Sequence, residues 1–257
     1  MRYSVIGLIM IVMCSVTSGK VQTKEIEYRH GDTVLQGHLA WDDAIEGKRP
    51  GVLVVHEWWG NNEYSRHRAE QLAELGYVGF AIDMFGKGIT TTDPKEAGKL
   101  ATAIKSDRQL MRDRAAAGLA TLREQELVDS AHIAAIGYCF GGTTALELAR
   151  SGADIVGVVS FHGGLDAPSP AAEIKAAILV CHGADDTFIS DDELMAFRKE
   201  MQDTKADWQM EVYGGAAHSF TNPNADKAGI KGVAYNEKAD RRSWEAMKLF
   251  FNEILQK

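Results

Sequence analysis

The chain predicts an α/β fold, a mostly parallel twisted sheet with helices on both faces. Three observations carry this. Short, continuous apolar runs recur at residues 51–56, 77–82, 132–139, 155–161 and 176–181, as strands buried on both faces do. Stretches with helical spacing lie between them, and strand–helix alternation builds parallel sheets. The length of 257 residues, with 45% hydrophobic and 25% charged side chains, suits one domain with a sizeable core.

The N-terminus stands apart. Arg2 precedes a mostly apolar run at 5–16, and Thr17, Ser18 and Gly19 follow. That is the layout of a secretory signal peptide, and the run is short for a membrane span. Residues 1–19 therefore read as a signal peptide and 20–257 as a single domain. The protein is expected to be exported, with a bacterial periplasm as its location. An uncleaved N-terminal membrane anchor is the alternative.

Residues 25–29 and 33–41 alternate around His30-Gly31-Asp32, the pattern of a β-hairpin. A polar loop ends at Pro50. The strand at 51–56 leads to a loop at 57–62 and a helix at 63–75, closed by Gly76. The strand at 77–82 leads to a long loop. Asp93-Pro94 then offers an N-cap with proline at the first helical position. Helix covers most of 95–127, with a break near Ser106. The strand at 132–139 runs into a helix at 140–150. Strands at 155–161, 176–181 and 208–213 follow, with a helix at 191–204. The last helix, 237–256, carries Trp244, Met247, Phe250 and Phe251 on one stripe, which reads as core.

A formal net charge of -8, with the charges dispersed, argues against nucleic acid as a partner. The expected partner is a small molecule. No H-E-x-x-H or comparable metal spacing occurs, and no cofactor is implied. His56, His162 and His182 end strands and read as structural. Cys181 lies within an apolar strand and reads as a buried core thiol. A redox pairing with Cys139 would need two sulfurs to meet although another strand should separate theirs.

Gly137-Tyr138-Cys139-Phe140-Gly141 is the pattern of a nucleophile elbow, with cysteine where serine is usual. A strand enters it and a helix leaves it. Asp186 follows a later strand and His218 follows the last one. Nucleophile, acid and histidine in that order are the α/β-hydrolase arrangement. A helix N-terminus and a neighbouring imidazole favour thiolate over thiol. His218 can carry the proton, and Asp186 can fix its tautomer. The backbone N–H of Phe140, with a second from the loop after the 51–56 strand at Trp58, can bind an oxyanion. Trp58, Trp59 and Phe85 can wall an apolar acyl pocket.

The chain resembles the dienelactone hydrolases over roughly residues 25–257. The elbow, Val55-His56-Glu57-Trp58-Trp59-Gly60, Asp83-Met84-Phe85-Gly86, Gly183-Ala184-Asp185-Asp186 and His218-Ser219-Phe220 carry the likeness. The resemblance implies a single α/β-hydrolase domain with Cys139 as nucleophile, His218 as base and Asp186, rather than Asp185, as acid. It also implies that Glu57 contacts the resting thiol and accepts its proton when substrate binds. Family members that cleave a carboxylate-bearing lactone hold it with two arginines. Lys87 and Asn222 stand at those positions here, so Lys87 is the remaining candidate for a substrate carboxylate. The expectation is a hydrolase of small esters or lactones working through a cysteine acyl-enzyme. A broader esterase or peptidase, or a non-catalytic scaffold, are the alternatives.

Overall fold

The computed structural model describes residues 19–168, 171 and 173–255. The segment read as a signal peptide lies, but for its last residue, outside the described residues. Eight strands form one sheet, β1 (Val21–His30), β2 (Thr33–Asp42), β3 (Arg49–Val55), β4 (Val78–Ile82), β5 (Val128–Tyr138), β6 (Gly157–Phe161), β7 (Ala177–Gly183) and β8 (Trp208–Tyr213). Their order is β1-β2-β4-β3-β5-β6-β7-β8. The hairpin β1–β2 pairs antiparallel and joins β4 antiparallel, while every pairing from β4 to β8 is parallel. The mostly parallel sheet expected from the sequence is therefore present.

Alternation along the strands sends side chains to two cores. Leu53 and Val55 of β3 belong to one, and Val52 and Val54 to the other. The first core is closed by α3 (Arg108–Arg123), α4 (Phe140–Arg150) and α5 (Asp191–Thr204) through Met111, Leu119, Leu146 and Phe197. The second is closed by α1 (Glu63–Glu74) and α6 (Glu237–Leu255) through Leu72, Met247 and Phe251. The segment between β4 and β5 forms α2 (Pro94–Lys105) and α3, with Ser106 capping the end of α2 and Asp107 the start of α3. Asp93 caps α2 by accepting from the Lys95 N–H, with Pro94 at the first position.

β5 reaches well beyond its apolar run. β5 begins at Val128, four residues before the expected start, and pairs Arg49 with Val128 before a register shift between Pro50 and Gly51. Because β3, β5, β7 and β8 are parallel, their carboxyl ends share one rim, where ligands bind in such sheets. Among the described residues no helix is long and apolar enough to cross a membrane.

Candidate active site

The elbow sits at the end of β5. Cys139 has φ 54 and ψ -116, a backbone conformation sparsely populated by residues with a side chain. Glycines make the turn possible by close approach rather than by positive φ. A Cβ on Gly137 would lie 1.9 Å from the Gly141 carbonyl oxygen, and one on Gly141 would lie 2.2 Å from that of Val55. The Cys139 N–H faces two acceptors, the Phe161 carbonyl at 3.0 Å and His162 Nδ1 at 3.1 Å. Phe140 is the first residue of α4, so its N–H has no partner inside the helix.

His218, after β8, meets the elbow. Its Nε2 lies 3.0 Å from Cys139 Sγ and its Nδ1 lies 2.8 Å from Asp186 Oδ2. Asp186 is buried and its other oxygen accepts from the Phe188 N–H at 2.9 Å. Asp185 is exposed. Burial opposes charge on His218, but Cys139 and Asp186 outweigh it and carry the imidazole up to about 10. A thiol sulfur, an imidazole and a buried carboxylate thus lie in one line of contacts, which could supply a nucleophile, a proton carrier and an orienting charge.

Glu57 does not contact that sulfur. Ser219 Oγ donates to its Oε1 at 2.9 Å and Asn222 Nδ2 to its Oε2 at 2.5 Å. Cys139 engages His218 instead, so the thiol contact implied by resemblance is replaced by two neutral donors. Burial pushes the Glu57 carboxyl up, and the two donors pull it back.

Above the sulfur lies a cleft of about 510 Å³ lined by Trp58, Trp59, Phe188, Ile230 and Val233 among others. Trp58 and Trp59 stand where the sequence put them. Phe85 and Lys87 do not reach the cleft. Phe85 is buried behind the elbow, edge-on to His56 with ring centroids 4.8 Å apart and 5.5 Å from Phe140. Lys87 points to the outer strand, pairing with Glu27 at 2.9 Å. The loop after β4 turns back toward the hairpin, where the Lys87 N–H donates to the Val34 carbonyl at 2.9 Å. Besides His218, two charged residues line the cleft, Glu63 and Lys227, of opposite sign. Among the described residues no three His, Cys, Asp or Glu side chains are grouped to hold a metal ion.

His162, read as structural, supports the elbow, and Thr221, Arg68 and Phe188 join the site without having been singled out. His162 accepts from the nucleophile's N–H and touches Thr221 Oγ1 at 2.7 Å, which touches the Tyr64 hydroxyl at 2.6 Å. Burial, with the charges of His218 and Arg68 adding to it, holds His162 well below the ordinary imidazole range. It is therefore neutral, accepting at Nδ1 and donating at Nε2. Arg68 ties this chain to α6, donating to the Thr221 carbonyl at 2.8 Å and to Asp240 at 2.6 Å. Phe188 is 52% exposed and packs on His218 with ring centroids 4.9 Å apart. Its place two residues after Asp186 was the one available signal. Cys181 is fully buried and free, and β6 separates its strand from that of Cys139.

Comparison with known proteins places the chain in a family. A solved dienelactone hydrolase-like promiscuous phosphotriesterase from metagenomic libraries is 41% identical, with a TM-score of 0.88 over 91% of this chain and 98% of that one. A candidate carboxymethylenebutenolidase of Aquifex aeolicus is 28% identical over 90% of this chain and 98% of its own length. A protein of Bradyrhizobium sp named as a probable 2-oxo-3-(5-oxofuran-2-ylidene)propanoate lactonase is 30% identical over 78% of this chain and 82% of its own. The family model described as the dienelactone hydrolase family matches residues 35–255. That match runs from the second strand to the last helix and takes in every residue of the cleft, so the chain belongs to the dienelactone hydrolase family.

Proposed function

We propose that the protein hydrolyses small, uncharged carboxylic esters or lactones through an acyl-enzyme on Cys139. Membership of the family makes it a carboxylic-ester hydrolase. The observation that supports the finer reading is the Cys139 sulfur 3.0 Å from His218 Nε2, with Asp186 2.8 Å behind. The sulfur attacks the carbonyl carbon, and the N–H groups of Phe140 and Trp58 receive the oxyanion. His218 gives its proton to the leaving oxygen, which leaves a thioester on Cys139. His218 then takes a proton from water, water attacks the thioester carbonyl, and the acid departs as sulfur is released. Asp186 favours the imidazolium in both halves.

The preference for an uncharged acyl group follows from the walls. Neither position that would hold a substrate carboxylate presents a cation to the cleft, since Lys87 pairs with Glu27 and Asn222 holds Glu57. Trp58, Trp59 and Phe188 offer apolar and aromatic surface instead, and Lys227, the lysine that does line the cleft, is offset by Glu63. The relative named as a promiscuous phosphotriesterase makes a phosphotriester the natural second substrate to assay. The signal-peptide pattern of residues 1–19 supports export, and we propose a periplasmic location. Turnover of p-nitrophenyl acetate, neutral lactones and a lactone carrying a carboxylate checks the reading. Cys139→Ala is expected to abolish turnover, and an enzyme that prefers the carboxylate-bearing lactone would overturn the uncharged-substrate assignment.

A further inference from the structure

The walls of the cleft differ between its two ends. Trp58 and Trp59 follow β3 and pack on each other with ring centroids 4.8 Å apart. The lining around His218 is of another kind. Phe188 packs on the imidazole, with ring centroids 4.9 Å apart and planes inclined at 47°, and is half exposed. Residues 223–236, between β8 and α6, clamp the backbone of the histidine. The His218 N–H donates to the Gly232 carbonyl at 3.1 Å, and the Ala234 N–H donates to the His218 carbonyl at 3.1 Å. Val233 is thereby bridged to His218. The same segment closes on Phe188, since a Cβ on Gly232 would lie 3.4 Å from the Phe188 ring and 2.7 Å from Thr187 Oγ1. Phe188, Ile230 and Val233 all line the cleft. Apolar side chains, one of them an aromatic ring, therefore surround the histidine that carries the proton.

We propose that Phe188, Ile230 and Val233 form the subsite of the leaving alcohol, and that this alcohol carries an aromatic ring. This rests on the cysteine-hydrolase reading above and adds the alcohol half of the substrate to it. When Cys139 Sγ bonds to the carbonyl carbon, the bond from that carbon to the alcohol oxygen breaks, and the oxygen takes the proton of His218 Nε2. The alcohol oxygen must therefore come within hydrogen-bond reach of Nε2, the nitrogen that faces Sγ at 3.0 Å. The carbon attached to that oxygen then lies beside what packs on the imidazole, which is Phe188. A ring on that carbon can meet the Phe188 ring in the tilted or offset geometry that aromatic pairs prefer. The cleft of about 510 Å³ has room for it, as do pockets that enclose ligands of drug size. Trp58 and Trp59, at the end where the oxyanion is received, are left to the acyl group. Phe188 thus has two tasks. Its N–H holds Asp186 at 2.9 Å, and its ring selects the alcohol.

The test is the ratio of kcat/KM for benzyl acetate to that for ethyl acetate, whose alcohols are of similar acidity. Ethyl phenylacetate, with its ring on the acyl side, is the control. Wild type is expected to favour benzyl acetate over ethyl acetate by at least about tenfold, the discrimination that apolar contacts supply. Phe188→Ala is expected to lower that ratio at least about fivefold, and Phe188→Leu, which keeps apolar bulk without the ring, about threefold. A disturbed His218 slows every ester alike and cancels from the ratio. A ratio unchanged in both variants, or an equal or larger fall for ethyl phenylacetate relative to ethyl acetate, overturns the proposal. Saturation-transfer NMR with benzyl alcohol reads the subsite without turnover, on Cys139→Ala and on the same chain with Phe188→Ala added. The signal is expected to fall at least about threefold on loss of the ring, and equal signals overturn the subsite. If Cys139→Ala retains turnover, the cysteine reading fails while the NMR signals still decide the subsite, as they do for an enzyme that cleaves none of the three esters.

Discussion

Asp186 divides its two oxygens between the Phe188 N–H and His218 Nδ1. The first bond fixes the carboxylate, and the second fixes which imidazole nitrogen faces the sulfur. An amide at this position loses the negative charge that favours the imidazolium and can present a donor to Nδ1. Asp186→Asn is expected to lower kcat/KM by about 10³-fold or more, as loss of the orienting acid does in catalytic triads. Asp185→Asn should leave it within about twofold, as surface substitutions do, because that side chain is exposed and outside the contact line. Steady-state kinetics with melting curves on both variants check this. Equal losses in the two would remove Asp186 from its assigned role.

At the level of elements, what could be read in advance was local. The hairpin, the cap at Asp93-Pro94, the break at Ser106 and the elbow are each written in a few neighbouring residues, and all stand where their signals lie. The rim followed from strand order alone, and it brings Cys139, Asp186 and His218 together. What could not be read depended on loop direction and on distant pairs. The apolar pattern of β5 is interrupted by Asp129, Ser130 and His132, so its true start is visible only through pairing with β3. Phe85 and Lys87 share a loop with the right chemistry, but the backbone bond from the Lys87 N–H to Val34 in β2 turns that loop away from the cleft. Glu57 and its partner Asn222 are 165 residues apart in the chain. Nothing local to either names the other. His162 was read only as structural, because its task of accepting a backbone N–H leaves no motif.

Across the whole molecule, several buried groups titrate differently once the chain unfolds. Burial lowers His56, His162 and His182 below the ordinary imidazole value. Unfolded, they would take up protons near pH 6.5. Below that value the unfolded chain binds more protons than the folded one, so stability is lost as pH falls. Each group contributes a slope of up to about 1.4 kcal/mol per pH unit. Burial raises Glu57 and Asp240, which act with the opposite sign, so three histidines work against two carboxyls. His218, raised to about 10, adds stability that is complete below about pH 6.5 and lost as pH climbs toward its folded value. The urea midpoint is therefore expected to peak near neutrality, falling from about pH 6.5 to 5.5 and again toward pH 9. A midpoint that is flat from pH 5.5 to 9 would contradict these assignments.

The unusual backbone at Cys139 has a consequence for heat resistance rather than for chemistry. In ordinary helices and strands glycine is worse than alanine by about 0.5–1 kcal/mol. At φ 54 and ψ -116 the ranking should invert, because a Cβ is the source of the strain and glycine lacks one. Cys139→Gly and Cys139→Ala would both lack the sulfur, yet the glycine variant is expected to melt at the higher temperature. Paired calorimetry would detect the inversion, and the usual order would mean that the elbow is relaxed. If it holds, the chain accepts a strained residue where exposing a sulfur outweighs durability.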